Sequence, residues 1–124
     1  EQHIGLVLVA LSAQAAEKIT RLHLDEIRSL GLTAMIYYSG MGALAGRRVL
    51  QLAGFRIPDD ISVISEDDGS IMERLYPAGS IVTGEYLQQC RDALDIITGN
   101  QPSPGIRLYG YQYIERESVK KLNQ

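Results

Sequence analysis

Cysteine, histidine and concentrated charge are scarce in this chain, and each shortage excludes a class of protein. Cys90 is the single cysteine among 124 residues, so no internal disulfide can form. With no positively charged leader ahead of an apolar run, this predicts a reducing, cytoplasmic setting. His3 and His23 are the two histidines. They fall on different predicted elements without ligand spacing, which argues against a metal site. No apolar run approaches the ~20 residues that cross a bilayer. Twelve basic against fifteen acidic residues leave a net charge of −3, and no basic run exceeds Arg47-Arg48 or Lys120-Lys121. Phosphate backbones need a concentrated positive face, so direct contact with nucleic acid is not expected of this chain. Repeats and low-complexity tracts are absent.

The chain is long enough to bury a core without staples, and residues 1–124 are expected to form a single unit. Its most legible part is Ala34–Asp68. An apolar run, Ala34 to Tyr38, is broken by Gly40 and Gly42. Met41, Leu44, Ala45, Val49 and Leu52 then recur at helical spacing, Gly54 stops the helix, and Ile61 to Ile64 resumes as a strand. Two strands joined through a helix are parallel neighbours with a right-handed crossover. Ahead of this unit, Ile4 to Val9 reads as a strand covered on both faces. Ser12 caps a predicted helix with Ala16, Ile19, His23, Ile27 and Leu30 on one face, ended by Gly31. The abrupt entry into a strand suggests a piece of a longer protein. Downstream, Ile71 to Leu75 offers one helical turn and Ile81 to Thr83 a short strand. Tyr86 to Thr98 is a helix with Tyr86, Leu87, Cys90, Ala93, Leu94 and Ile97 on its apolar face. Ile106 to Arg116 alternates with period two and carries a tyrosine stripe. The last eight residues are polar and expected to be poorly ordered.

Two places carry possible chemistry. Gly40-Met41-Gly42-Ala43-Leu44-Ala45 follows a strand and opens a helix, fitting a variant of the dinucleotide fingerprint, with Glu66 or Asp67 as ribose acceptor. On that alternative the chain is a fragment of a nucleotide-dependent oxidoreductase. A βα turn in any parallel sheet also favours glycine, so the pattern alone does not decide. Glu66-Asp67-Asp68 stands at the carboxyl end of a parallel strand, where open α/β sheets place their ligand crevice and a carboxylate can accept from a polyol. Ser39 lacks the surroundings of a nucleophile elbow. Asp59-Asp60, after Pro58, reads as a turn feature.

The exit Gly54-Phe55-Arg56-Ile57-Pro58-Asp59-Asp60-Ile61-Ser62-Val63-Ile64, with Asp67-Asp68 after it, resembles the C-terminal lobe of the lactose-repressor family of bacterial transcription regulators. Tyr76-Pro77, Val82-Thr83, Thr98-Gly99 and Arg116-Glu117-Ser118 are similar to that lobe's closing segment. Nearly the whole chain is covered. The resemblance implies an α/β fold with a three-layer, mostly parallel sheet, the flavodoxin-like half of a periplasmic-binding-protein-like fold. It also implies a non-enzymatic, cofactor-free module that binds a small sugar- or nucleoside-type effector and dimerises, with DNA bound by a domain outside this chain. Effector contacts are implied at Ser39 and Gly40, which stand where the family has Asn-Asp, and at Asp67 and Asp68. One strand-helix unit that the family carries before the Ala34 strand is missing, with Leu32-Thr33 in its place. Its loss would leave the Ile4 to Val9 strand with an open edge for a second subunit. A stand-alone flavodoxin-like interaction domain is the remaining alternative.

Overall fold

A computed structural model of the chain describes residues 10, 12–66 and 70–121. The expected Ile4–Val9 strand and its open edge lie outside these residues. Among the described residues, a four-stranded sheet has the order β1 (Ala34–Tyr37), β2 (Ser62–Glu66), β3 (Ser80–Gly84), β4 (Tyr111–Ile114). β1, β2 and β3 are parallel, with Met35 beside Val63 and Ser65 beside Ile81, and β4 is antiparallel to β3. This is the mostly parallel α/β sheet the sequence predicts.

The predicted Ser12–Gly31 helix is two pieces, α1 (Ala13–Leu22) and α2 (Leu24–Ser29), separated at His23. Ser12 accepts from Ala15 N at 3.1 Å as expected of its cap. Leu24 and Ile27, three residues apart and therefore on one face of α2, both lie against the core. His23 itself turns to Glu26, 2.7 Å away. Gly31 has φ +61° and Gly54 φ +90°, so both supply the left-handed exits predicted for them.

α3 (Gly40–Leu52) buries a different face from the one its large apolar residues suggest. Met41 and Leu52 are exposed, while Gly42, Ala43, Gly46, Arg47, Val49 and Leu50 are buried. Small residues let α1 lie close across α3. Gly46 also makes room for Tyr37, since a Cβ there would sit 2.1 Å from the Tyr37 hydroxyl. That hydroxyl pairs with Thr20 Oγ1 at 3.1 Å, joining β1, α1 and α3 at one buried point. Burial pushes the Tyr37 pKa above its ordinary value, a rise partly offset by the Thr20 hydrogen bond.

The loop to β2 is clamped by Arg56, which donates to both Asp60 oxygens at 2.9 and 2.6 Å. After β2, a single 3₁₀ turn at Met72–Arg74 replaces the expected helical turn. Of the closing segment, residues 117–121 are described, and Ser118 anchors them to the sheet despite their polarity. Ser118 is fully buried; its Oγ accepts from Ser80 N at 2.7 Å and donates to Val63 O. Its backbone carbonyl also accepts from Val63 N at 2.8 Å. Residues 116–118 thus stitch β2 and β3 together near their amino ends.

α4 (Tyr86–Ile97) departs furthest from expectation. Its predicted apolar face is not in the core: Cys90 is exposed, Leu94 is 60 % and Ile97 82 % exposed, and Asp92 is the residue it buries. The predicted Ile106–Arg116 strand is reduced to β4 because 107 and 109 are engaged elsewhere. Tyr109 Oη donates to Asp92 at 2.9 Å, and Arg107 pairs with the same carboxylate. Those bonds, led by Tyr109 and Gln88, hold the Asp92 pKa below the usual carboxylate range.

Candidate functional site

Three parallel strands end together, and their carboxyl ends define the crevice in which such sheets place a ligand. At the end of β1, Ser39 takes an extended conformation and caps α3 by accepting from Gly42 N at 3.1 Å. A serine or aspartate at this position satisfies one of the otherwise unpaired amides of a helix start. Its Oγ is therefore engaged as an acceptor, although its proton remains available. Gly40 follows as the first, buried residue of α3. At the end of β2 stands Glu66, one step beyond the registered pair of Tyr37 with Ser65. Asp67 and Asp68 come next in the chain and lie outside the described residues.

Sequence reasoning missed the residue that meets Glu66. Tyr86, the first of α4, donates its hydroxyl to Glu66 Oε1 at 2.8 Å. Donating to a carboxylate and losing solvent both penalise the phenolate, so the Tyr86 pKa is pushed up to about 12. Tyr86 lies over Gly84, where a Cβ would approach its ring to 3.1 Å and the Tyr111 ring to 3.5 Å. Gly84 is thus the floor on which two tyrosines meet. No local pattern indicates this, because Glu66 and Tyr86 belong to different elements and helical spacing puts Tyr86 on the apolar face of α4. The tyrosine stripe was a usable signal only for Tyr111.

This arrangement offers a carboxylate acceptor, two aromatic faces and the amino end of a 13-residue helix, all on the carboxyl side of the sheet. Such a set can hold a hydroxyl-rich molecule: hydroxyls donate to the carboxylate and an apolar ring face lies on tyrosine. The second glycine of the fingerprint has a packing role, since a Cβ at Gly42 would meet Ser39 Oγ at 3.2 Å and Ala16 at 3.7 Å. Among the described residues no group of three His, Cys, Asp or Glu side chains could hold a metal ion. Nor is any helix among them long and apolar enough to cross a membrane.

The sequence pattern of the periplasmic binding protein-like domain matches residues 4–119. The chain is 36% identical over 82 residues to the HTH-type transcriptional regulator GalR of Streptococcus thermophilus, a stretch that is 64% of this chain and 25% of that protein. Among solved structures it is similar to the transcriptional regulator CelR in complex with cellobiose, at 26% identity and a TM-score of 0.72, covering 87% of this chain and 34% of that one. It is also similar to a LacI family transcriptional regulator from Bifidobacterium animalis subsp. lactis DSM 10140, at 28% identity and a TM-score of 0.75, covering 91% of this chain and 42% of that one. The chain therefore spans a quarter of the curated relative's length and less than half of either structure. These similar proteins are transcription regulators rather than enzymes.

Proposed function

This chain belongs to the periplasmic binding protein-like domain family, in the form carried by LacI-type transcription regulators, and from that premise we propose that it senses a small sugar-type effector. The effector occupies the crevice at the strand carboxyl ends. Glu66 accepts its hydroxyls, Tyr86 and Tyr111 face its ring, and Ser39 and Gly40 approach from the start of α3. Asp67 and Asp68 supply further acceptors. The whole of 1–124 acts as one lobe, does no chemistry and needs no cofactor. DNA is bound by another part of the regulator, and two copies assemble as a dimer. Occupancy alters operator affinity only if the ligand prefers one of two states of the assembly.

The observation that carries this reading is the meeting of Glu66 and Tyr86 at the carboxyl ends of parallel strands, beside the start of α3. A solved relative holds cellobiose, which makes disaccharides the first probes. Titration calorimetry of the intact regulator against mono- and disaccharides, cellobiose among them, with nucleosides and purines for comparison, is expected to give heat with a sugar. That heat should weaken at least tenfold in Glu66→Ala. Silence across the panel refutes effector sensing. Sedimentation equilibrium addresses assembly separately, and a monomer throughout the micromolar range refutes the dimer.

A further inference from the structure

Residues 85–110 form an arm that is held to itself far more than to the rest of the chain. None of them belongs to the core cluster. The residue α4 buries, Asp92, is bound by Gln88, Arg107 and Tyr109, all within the arm. Asp95 binds Gln101 at 3.0 Å, and Gly110 N reaches Glu85, also within it. Among the described residues, Tyr86 is the side chain that ties the arm to the body: it donates to Glu66 at 2.8 Å and also meets the Tyr111 hydroxyl at the neighbouring join. The chain joins are at Gly84 and Tyr111, which face each other across the β3–β4 ladder. Two adjacent joins and the contacts of one side chain, Tyr86, therefore set where the arm sits, and of these contacts only the bond to Glu66 reaches beyond the joins.

The partner in that bond is the same carboxylate that faces the crevice. A ligand alcohol donating to Glu66 offers the bond that the Tyr86 phenol offers, while Tyr86, which is partly exposed, can turn its hydroxyl to water. Exchanging one hydroxyl donor for another costs little, because every polar group stays satisfied. The remaining contacts of a ligand then decide the balance. We propose that the Glu66–Tyr86 bond is a displaceable latch: a ligand hydroxyl takes the place of Tyr86 on Glu66 and frees the 85–110 arm to move about its joins. The latch stands on the geometry alone, and the displacement step rests on the proposed effector function.

The lone cysteine makes the arm easy to follow. Cys90 is exposed on α4, and a second spin label at Arg48→Cys would sit on the outer face of α3, where that side chain is exposed. Distance distributions between the two labels are measured in the otherwise unaltered chain, in Tyr86→Phe, in Glu66→Gln and in the double variant. A single narrow distance is expected in the unaltered chain, and a broadened or shifted one in Tyr86→Phe. The double variant should be no broader than Tyr86→Phe, because both changes remove one interaction. The thermal midpoint should stay the same, which separates a latch from general destabilisation. An unchanged distribution in Tyr86→Phe overturns the latch, as does broadening accompanied by a large fall in midpoint. A sugar that gives heat in calorimetry should shift the unaltered chain toward the Tyr86→Phe distribution and leave that of Tyr86→Phe in place. Bound sugar with an unmoved arm overturns displacement. If no sugar binds, displacement falls together with the proposed function, and the variants alone still decide the latch.

Discussion

Ser118→Ala isolates the contribution of the closing segment. The hydroxyl it removes accepts from Ser80 N at 2.7 Å and donates to Val63 O, in a fully buried position. No water can replace it without opening the sheet. Leaving the Ser80 amide unpaired costs about 1–3 kcal/mol, and losing the bond to Val63 about another 1 kcal/mol. Backbone bonds from Ser118 to Val63 and Ala78 survive, as do those between Ser80 Oγ and Arg116, so the segment stays docked. The expected loss is therefore about 2–4 kcal/mol, a large share of the stability of about 5–15 kcal/mol usual for a domain. Urea unfolding reads it directly: with a slope of about 2 kcal/mol per molar, the midpoint should fall by about 1–2 M at unchanged slope. Ser62→Ala is the matched control. Its hydroxyl meets Lys120 N at the exposed end of the same segment, and its removal should stay within about 0.5 kcal/mol. A Ser118→Ala loss no larger than that of Ser62→Ala would refute the argument that burial makes this bond costly.

Gly46→Ala should lower the thermal midpoint markedly, because its Cβ would fall 2.1 Å from the Tyr37 hydroxyl and 2.2 Å from Cζ. Overpacking of this kind costs about 1–3 kcal/mol, and Tyr37→Phe should not rescue it. Arg47 is buried, with Nη1 unpartnered among the described residues while Nη2 reaches Pro77 O, and burial lowers its pKa. Arg47→Met, which keeps the volume without the charge, is expected to hold or raise stability, and Arg47→Ala to lower it, both by denaturant midpoint. Asp60 is held at about 2 by its hydrogen bonds to Arg56. A depressed carboxylate pKa contributes stability that is full above the unfolded value near 4 and is lost as pH falls through about 2. Asp60→Asn should thus flatten the pH dependence of the midpoint between pH 4 and 2.

Elements set by local punctuation were legible in the sequence. Gly31, Gly54 and the Pro58 loop mark where α2 and α3 stop and β2 begins, because φ constraints act within a residue or two. Tertiary partners were not legible. Helical spacing shows that α4 has an apolar face without showing what lies against it, and Leu94 and Ile97 prove exposed. On α3 the sequence favours the large Met41 and Leu52, whereas close approach of α1 selects Gly42, Ala43 and Gly46. The same limit applies to the candidate site. Ser39 and Gly40 lie at the strand-to-helix turn, as their positions indicate. Tyr86 reaches Glu66 only through the path the chain takes after β3. Ser118 sits in a polar tail, and its burial follows from partners far back in the sequence, Val63 and Ser80.

The facing of Gly84 and Tyr111 means that the ladder of β3 and β4 is, in connectivity, a hairpin whose loop is the entire arm. Loops closed at an antiparallel pair can be lengthened or shortened at little entropic cost, since closure grows only with the logarithm of loop length. The body and the arm are consequently separable pieces of heredity: a deletion or exchange confined to 85–110 alters what the crevice is connected to without touching the stitched sheet. Exchanging the arm for a two-residue Asn-Gly turn would leave a minimal scaffold on which Glu66 stands free.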